Sequence, residues 1–420
     1  MAVRPRTSPA SALALAGLVC AGVAAAQGGP GFREPLDHPA IRYSTAPLAD
    51  AVSMLNRRLE TGAAKLAYDR DKGYLPAVLE ALQLPKESQL AVFSPTSFQA
   101  EKISAENPRA LFFNDSVAVG WVRGGLLEVA AQDPQLGPIF YHLDQRPTEQ
   151  PRFERSAECL ECHRTWETLA VPGLLVLSTF PPTTRNGYAT GGVTDHRSPF
   201  ERRWAGWYVT GRAGRTRHMG NKLVPTMTDT SAPVTLDSLK GRIDLRGYPT
   251  PYSDIVALMV FEHQTHMTNL LTYLAWEARV AEYERRQTAA LSEIARDVVD
   301  YMLFVDEAPF AGRVEGTSGF AEVFSARGPR DSRGRSLRQL DLERRLMRYP
   351  CSYMIYAPAF EALPPAAKDA VYRRMWQVLS GEDRRPPYNN RLTLPDRQAI
   401  VEILRDTKKD LPGYFQPVRG

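Results

Sequence analysis

A chain of 420 residues and 46.8 kDa is too long for one minimal module and suggests one large domain or two ordinary ones. With 43% hydrophobic and 24% charged residues it has the composition of a packed globular protein, which excludes wholesale disorder. A net charge of +5 spread over 52 basic and 47 acidic residues does not announce a nucleic-acid binder, and four cysteines exclude a disulfide-built scaffold.

The first 26 residues read as an address. Arg4 and Arg6 make a positive start, Ala12 to Ala26 is an uncharged apolar run, and Ala24, Ala25 and Ala26 supply small residues for cleavage before Gln27. The run is shorter than a membrane span, and no other run approaches that length, so no span is expected after cleavage. The expected location is periplasmic or secreted. Two regions follow: 27–250, with N-terminal helices and a strand-rich segment, and 251–420, mainly helical. Leu48, Val52, Leu55 and Leu59 recur at helical spacing, as do Leu75, Leu79 and Leu82 after Gly73.

From about 88 onward the texture changes to short apolar runs bounded by Pro, Gly, Asn and Asp: 90–93, 110–113, 117–122, 138–141, 174–177 and 204–210. Tyr252 to Ala308 then runs without Gly or Pro, with Ser253 or Asp254 as N-cap and a division near Glu284–Gln287. Asp306 to Ser336 reads as a loop, and helices are expected near 337–348, 366–379 and 394–409. The expected class is α+β: a strand- and loop-rich middle segment followed by a mainly helical C-terminal half, the latter a candidate to complete a shared pocket.

Cys20 leaves with the leader, so the mature chain keeps Cys159, Cys162 and Cys351. Cys159-Leu160-Glu161-Cys162-His163 is a CxxCH run. Two thiols three residues apart sit on one tight turn, where each can add to a vinyl group of the same porphyrin. The histidine that follows is carried beneath the ring as the proximal iron ligand. Three alternatives stay open. A zinc site wants further ligands at knuckle spacing, a thioredoxin-like pair wants a strand–CxxC–helix context, and a simple disulfide needs only an oxidising compartment.

In these five residues the chain resembles the c-type cytochromes. The resemblance implies one covalent heme c, iron ligation by His163 and periplasmic maturation, and it extends to no particular subfamily. The single motif lies mid-chain, unlike the small soluble members, so the surrounding protein must cover or gate one heme.

For the other axial position the candidates are His263 and His266, three apart on the long helix with Glu262 beside them, and His218 and Met219 in a Gly-flanked loop. Each could be a sixth ligand, or a distal acid–base group over an open iron. Core packing is the competing reading for the histidine pair, a surface loop for His218. His196 is a weaker candidate, His142 is expected to pack, His38 to be exposed and Cys351 to be a buried small hydrophobe. Trp166, Trp204, Trp207 and Tyr208 suit either heme contact or a core. The arginines between 327 and 348 read as a solvated face, with docking of an acidic redox partner or pairing with heme carboxylates as the sharper reading.

Two functions are therefore expected in order. The first is electron transfer with a redox partner protein and no nucleic acid, favoured by the common use of the motif in exported proteins. The second is a peroxidase- or oxygenase-like heme enzyme, favoured by the size of the chain.

Overall fold

The computed structural model describes residues 31–179, 191–223, 234–286 and 289–419, so the expected leader lies outside the described residues. The chain opens with α1 (Ala51–Glu60) and α2 (Leu75–Ala81), each half of the expected N-terminal helical stretch. Asp50 caps α1 by accepting from the Val52 and Ser53 amides, and its second carboxylate oxygen takes the Tyr141 hydroxyl at 2.7 Å, which ties the helix to the sheet.

Five strands follow: β1 (Leu90–Val92), β2 (Arg109–Phe113), β3 (Val117–Trp121), β4 (Leu127–Asp133) and β5 (Gly137–Leu143), then the short β6 (Glu154–Arg155). After the one-turn helix α3 (Leu160–His163) come β7 (Leu177–Ser178), β8 (Gly192–Val193) and β9 (Trp207–Tyr208). The main sheet is antiparallel in the order β6-β5-β4-β3-β2-β1-β9, and β7 and β8 pair separately.

The C-terminal half is helical: α4 (Ile255–Tyr283), α5 (Ala289–Met302), α6 (Phe320–Ala326), α7 (Pro358–Glu361), α8 (Pro365–Ser380), α9 (Pro386–Arg391) and α10 (Leu394–Thr407). The α+β class read from the sequence is the class observed. Asp254 starts α4, one carboxylate oxygen capping its first turn and the other accepting from the Thr317 and Ser318 amides. No helix among the described residues is long and apolar enough to cross a membrane.

Two expectations fail locally. Residues 337–348 form turns rather than a helix, because the Asp341 side chain accepts the Glu343 and Arg344 amides and Leu342 takes a left-handed φ of 61°. The expected loop 306–336 contains α6, which starts directly after Gly319 at φ 82°.

Strand alternation gives the sheet two unlike faces. Ile139, Tyr141 and Leu143 line up with Leu127, Val129 and Ala131, with Val117, Val119 and Trp121, and with Ala110 and Phe112, in a core that α1 and α2 cover. A second core gathers α4, α5, α8 and α10 and takes in Phe113, Trp204 and Trp207 from the middle segment. α4 belongs to both, since Trp276 and Val280 pack into the first core.

The opposite face of the sheet carries two cross-strand rows. One runs Phe113–Ala118–Ala130–Phe140 and the next Leu111–Gly120–Glu128–His142. Phe113 meets Phe261 of α4 at 4.8 Å, but Ala118, Ala130, Glu128 and His142 are only half-buried. The middle of this face is thus a low floor of alanine and glycine. Gly120, in mid-strand without a side chain, keeps it flat.

Candidate functional site

The CxxCH run sits beside that floor. β6 delivers the chain to Ser156, and Cys159 begins α3, with the Cys162 and His163 amides both returning to the Cys159 carbonyl at 3.2 and 2.9 Å. One turn therefore holds all three side chains. Cys159 is half-buried, Cys162 is exposed, and both thiols are free. Desolvation raises both thiol pKa values, with neighbouring carboxylates adding to it, so both remain protonated at neutral pH.

His163 is oriented from two sides. Its ring lies on Phe140 with centroids 4.7 Å apart. Its Nδ1 is 2.9 Å from the Gly173 carbonyl oxygen, which can only accept, so Nδ1 carries the proton and Nε2 keeps a free lone pair. Desolvation pulls its pKa below the ordinary value, against the raising effect of the Gly173 bond, and the ring stays neutral.

Gly173 is itself fixed by α4. The Asn269 side chain accepts from the Leu174 amide at 2.9 Å and donates to the Leu174 carbonyl at 2.8 Å. Gly173 fits because it lacks a Cβ; one built there would lie 2.4 Å from Asn269 Oδ1 and 2.8 Å from Thr168 Cβ.

One rim of the floor is charged. Arg109 reaches across Gly120 to Glu128, Nη1 to Oε2 at 3.0 Å, and the other Glu128 oxygen accepts the Ser97 hydroxyl at 2.8 Å. The charges of Arg109 and Glu128 both act on the His163 ring. Trp166, just past the motif, is 77% exposed and Phe98, next to Ser97, is 58% exposed.

This set fits a porphyrin. It offers two protonated thiols on one turn, a neutral imidazole with its Nε2 lone pair available, and an apolar floor of small residues beside it. It fits zinc poorly, because among the described residues no cluster of further ligands gathers at Cys159 and Cys162.

The candidates for the far axial position gather elsewhere. His263 is fully buried, with Nδ1 2.8 Å from His196 Nδ1 and Nε2 2.7 Å from the Ser352 hydroxyl, stacked between Tyr301 and Phe304. His266 lies against Tyr301 at 4.7 Å and its Nε2 accepts from Arg197 at 3.1 Å. His218 packs on Trp204 at 5.1 Å while its Nδ1 accepts from the Gly220 amide. Met219 is buried, its amide on the Arg203 carbonyl. Desolvation lowers the pKa of His263 to about 3 and those of His266 and His218 to about 4.

The four residues thus surround the 194–204 segment and the first turns of α4. Among the described residues, no hydrogen bond, ion pair or ring contact joins any of them to His163. The link runs through Asn269 and Leu174, one turn beyond His266 on α4.

At the centre of that region Arg203, 2% exposed, pairs with the fully buried Glu262 at 3.2 Å and donates to the Ser198 and His196 carbonyls. Trp204, Trp207 and Tyr208 are buried core residues, and Cys351 is fully buried, its thiol pKa raised by desolvation. His142 meets Glu154 at 3.3 Å. The arginines of 327–348 largely pair within the chain: Arg333 and Arg335 with Glu402, Arg335 also with Asp331, Arg338 with Asp115 and Arg345 with Asp396.

His38, expected at the surface, is buried and gathers with Glu34 and Glu284 in a metal-like triad. Its Nδ1 accepts from the Ala40 amide, so in the neutral ring Nε2 carries the proton and donates to Glu284. Arg286 already forms an ion pair with each of the two carboxylates. The triad is an ion-pair cluster with no lone pair to spare on its imidazole.

No family model, no curated protein and no solved structure matches this chain.

Proposed function

We propose that the chain is an exported monoheme c-type cytochrome that passes electrons to and from a partner protein in the periplasm. Cys159 and Cys162 would supply the two thioether sulfurs and His163 Nε2 the proximal nitrogen. The observation that carries this reading is the His163–Gly173 bond: Nδ1–H is committed to a backbone carbonyl, so the other nitrogen presents its lone pair, and the bond raises its basicity. When bound, the heme iron supplies the one-electron chemistry. The protein orients the imidazole through Phe140, Gly173 and Asn269, and the floor of Ala118, Gly120 and Ala130 would offer a bound porphyrin an apolar surface. The exposed Cys162 and Trp166 put one edge of the site at the surface, where a partner can approach.

The test is the pyridine hemochrome spectrum of the mature protein made in a host that attaches c-type heme. The expected result is one covalent heme in the native protein and none in Cys159→Ser/Cys162→Ser. A folded native protein without heme overturns the proposal.

A second reading, an enzyme with an open axial position, is supported by the hydrogen bonds that already engage His218, His263 and His266. Carbon monoxide and cyanide separate the two. A low-spin iron unaffected by either means two protein ligands and electron transfer. A high-spin, ligand-binding iron means the enzyme. In the low-spin case, an unchanged spectrum in the His263→Ala/His266→Ala double variant moves the sixth ligand to His218 or Met219.

A further inference from the structure

Arg109 is placed and held in a way its one ion pair does not explain. It projects from β2 onto the same face of the sheet as the His163 ring, beside Gly120, where the missing side chain lets it lie flat across β3 toward Glu128. Its position is doubly determined, since Glu128 holds Nη1 and Ser97 in turn holds Glu128.

That bond uses one corner of the guanidinium. Nε is buried and without a partner, and the Nε/Nη2 side of the fork makes no hydrogen bond among the described residues. Other arginines also have unpaired Nε groups, but Arg109 is the one whose charge acts on His163. A buried N–H left unpaired is destabilising, and two parallel N–H donors match one carboxylate. The rest of the floor (Ala118, Gly120, Ala130, Phe140) is apolar and suits a flat hydrocarbon ring. The floor therefore suits a flat apolar ligand bearing an anionic carboxylate within reach of Arg109.

Resting on the heme reading above, we infer that Arg109 is the carboxylate anchor of this site: its Nε/Nη2 edge binds a propionate of the porphyrin held by Cys159 and Cys162, and Glu128 positions it. Arg109 contributes one fixed positive charge beside the iron site, which favours the reduced state because reduction removes a positive charge from it. The arginine fork matters as well as the charge, since lysine offers a point charge without two parallel donors.

The experiment compares native protein, Arg109→Gln, Arg109→Lys and Glu128→Gln, all with attached heme. It reads heme content by pyridine hemochrome, the propionate-bending band by resonance Raman, and the reduction potential. Arg109→Gln is expected to keep its heme, to shift the propionate band to lower wavenumber and to lower the potential. Arg109→Lys restores most of the potential but not the band. Glu128→Gln, which keeps the arginine and removes a negative charge, raises the potential and serves if Arg109→Gln does not fold. An unchanged band and potential in heme-loaded Arg109→Gln, or an unchanged potential in Glu128→Gln, overturns the assignment and leaves the heme reading standing. Native protein that attaches no heme overturns both.

Discussion

Replacing Gly173 by alanine tests how the His163 ring is held. The added methyl would sit 2.4 Å from Asn269 Oδ1 and 2.8 Å from Thr168 Cβ. Neither neighbour can retreat freely. Asn269 is locked to both polar groups of Leu174, and Thr168, fully buried, donates its hydroxyl to the Thr165 and Val171 carbonyls. Overpacking costs about 1–3 kcal/mol, and giving up one or two hydrogen bonds adds about 1 kcal/mol each, so Gly173→Ala should lose about 2–5 kcal/mol.

Denaturant unfolding of the mature protein measures this loss. The double variant Gly173→Ala/Asn269→Ala removes the obstructing oxygen and should cost less than the sum of the two single changes. The same collision displaces the Gly173 carbonyl from His163 Nδ1, so on the proposed heme reading the ferric absorption spectrum of the heme-loaded single variant should change. A Gly173→Ala protein within 0.5 kcal/mol of native, with an unchanged spectrum, would refute the reasoning.

Other consequences follow from buried charge. Arg203→Met strands the Glu262 carboxylate and should cost about 3–5 kcal/mol by chemical denaturation, while Arg203→Met/Glu262→Leu should be more stable than Arg203→Met alone. Equal or greater loss in the double variant would show that the pair is not the reason. Glu307 is buried and accepts the Leu346 amide; desolvation pushes its pKa up to about 7. Its folded-state pKa lies above the unfolded value of 4.5, so the stability its protonated form contributes is full below pH 4.5 and is lost as pH rises through 7. Native protein should therefore lose roughly 3 kcal/mol more than Glu307→Gln between pH 4 and pH 8, and parallel pH–stability curves would sink this account. For His218, the depressed pKa of about 4 keeps the ring neutral at pH 5.5, which its NMR ring-proton shifts check directly. A titration midpoint near 6.5 would contradict its burial.

The strands were legible where turn residues punctuate them, as at 90–93, 110–113, 117–122 and 138–141. β4 is not legible in the same way although Leu127, Val129 and Ala131 alternate with Glu128, Ala130 and Gln132, because its alanines weaken the apolar contrast. The apolar spacing of 337–348 resembles a helix, and only the Asp341 side chain, competing for backbone amides, shows why turns prevail.

At the site, local spacing exposes Cys159, Cys162 and His163 and nothing more. Gly173 is ten residues away and ordinary in sequence. Phe140, Arg109 and Glu128 reach the site only through antiparallel register across four strands. Asn269 gives no local sign of its task, since it sits within a helix whose nearly all-round burial hides any one face. His263 and His266 drew attention by being paired, yet one is spent on His196 and Ser352 and the other on Arg197.

The Asn269–Leu174 bonds span 95 positions of sequence. A chain that emerges from its N-terminus presents the 159–163 turn well before α4 exists to brace the segment behind it. Until then the turn is held only from within the earlier chain, by the Phe140 ring and by the Gly173 amide on the His163 carbonyl, and the loop bearing the Gly173 carbonyl lacks its brace from α4. The two thiols are thus presented on a turn that is not yet braced from behind. The arrival of α4 supplies that brace and converts the segment into a rigid one.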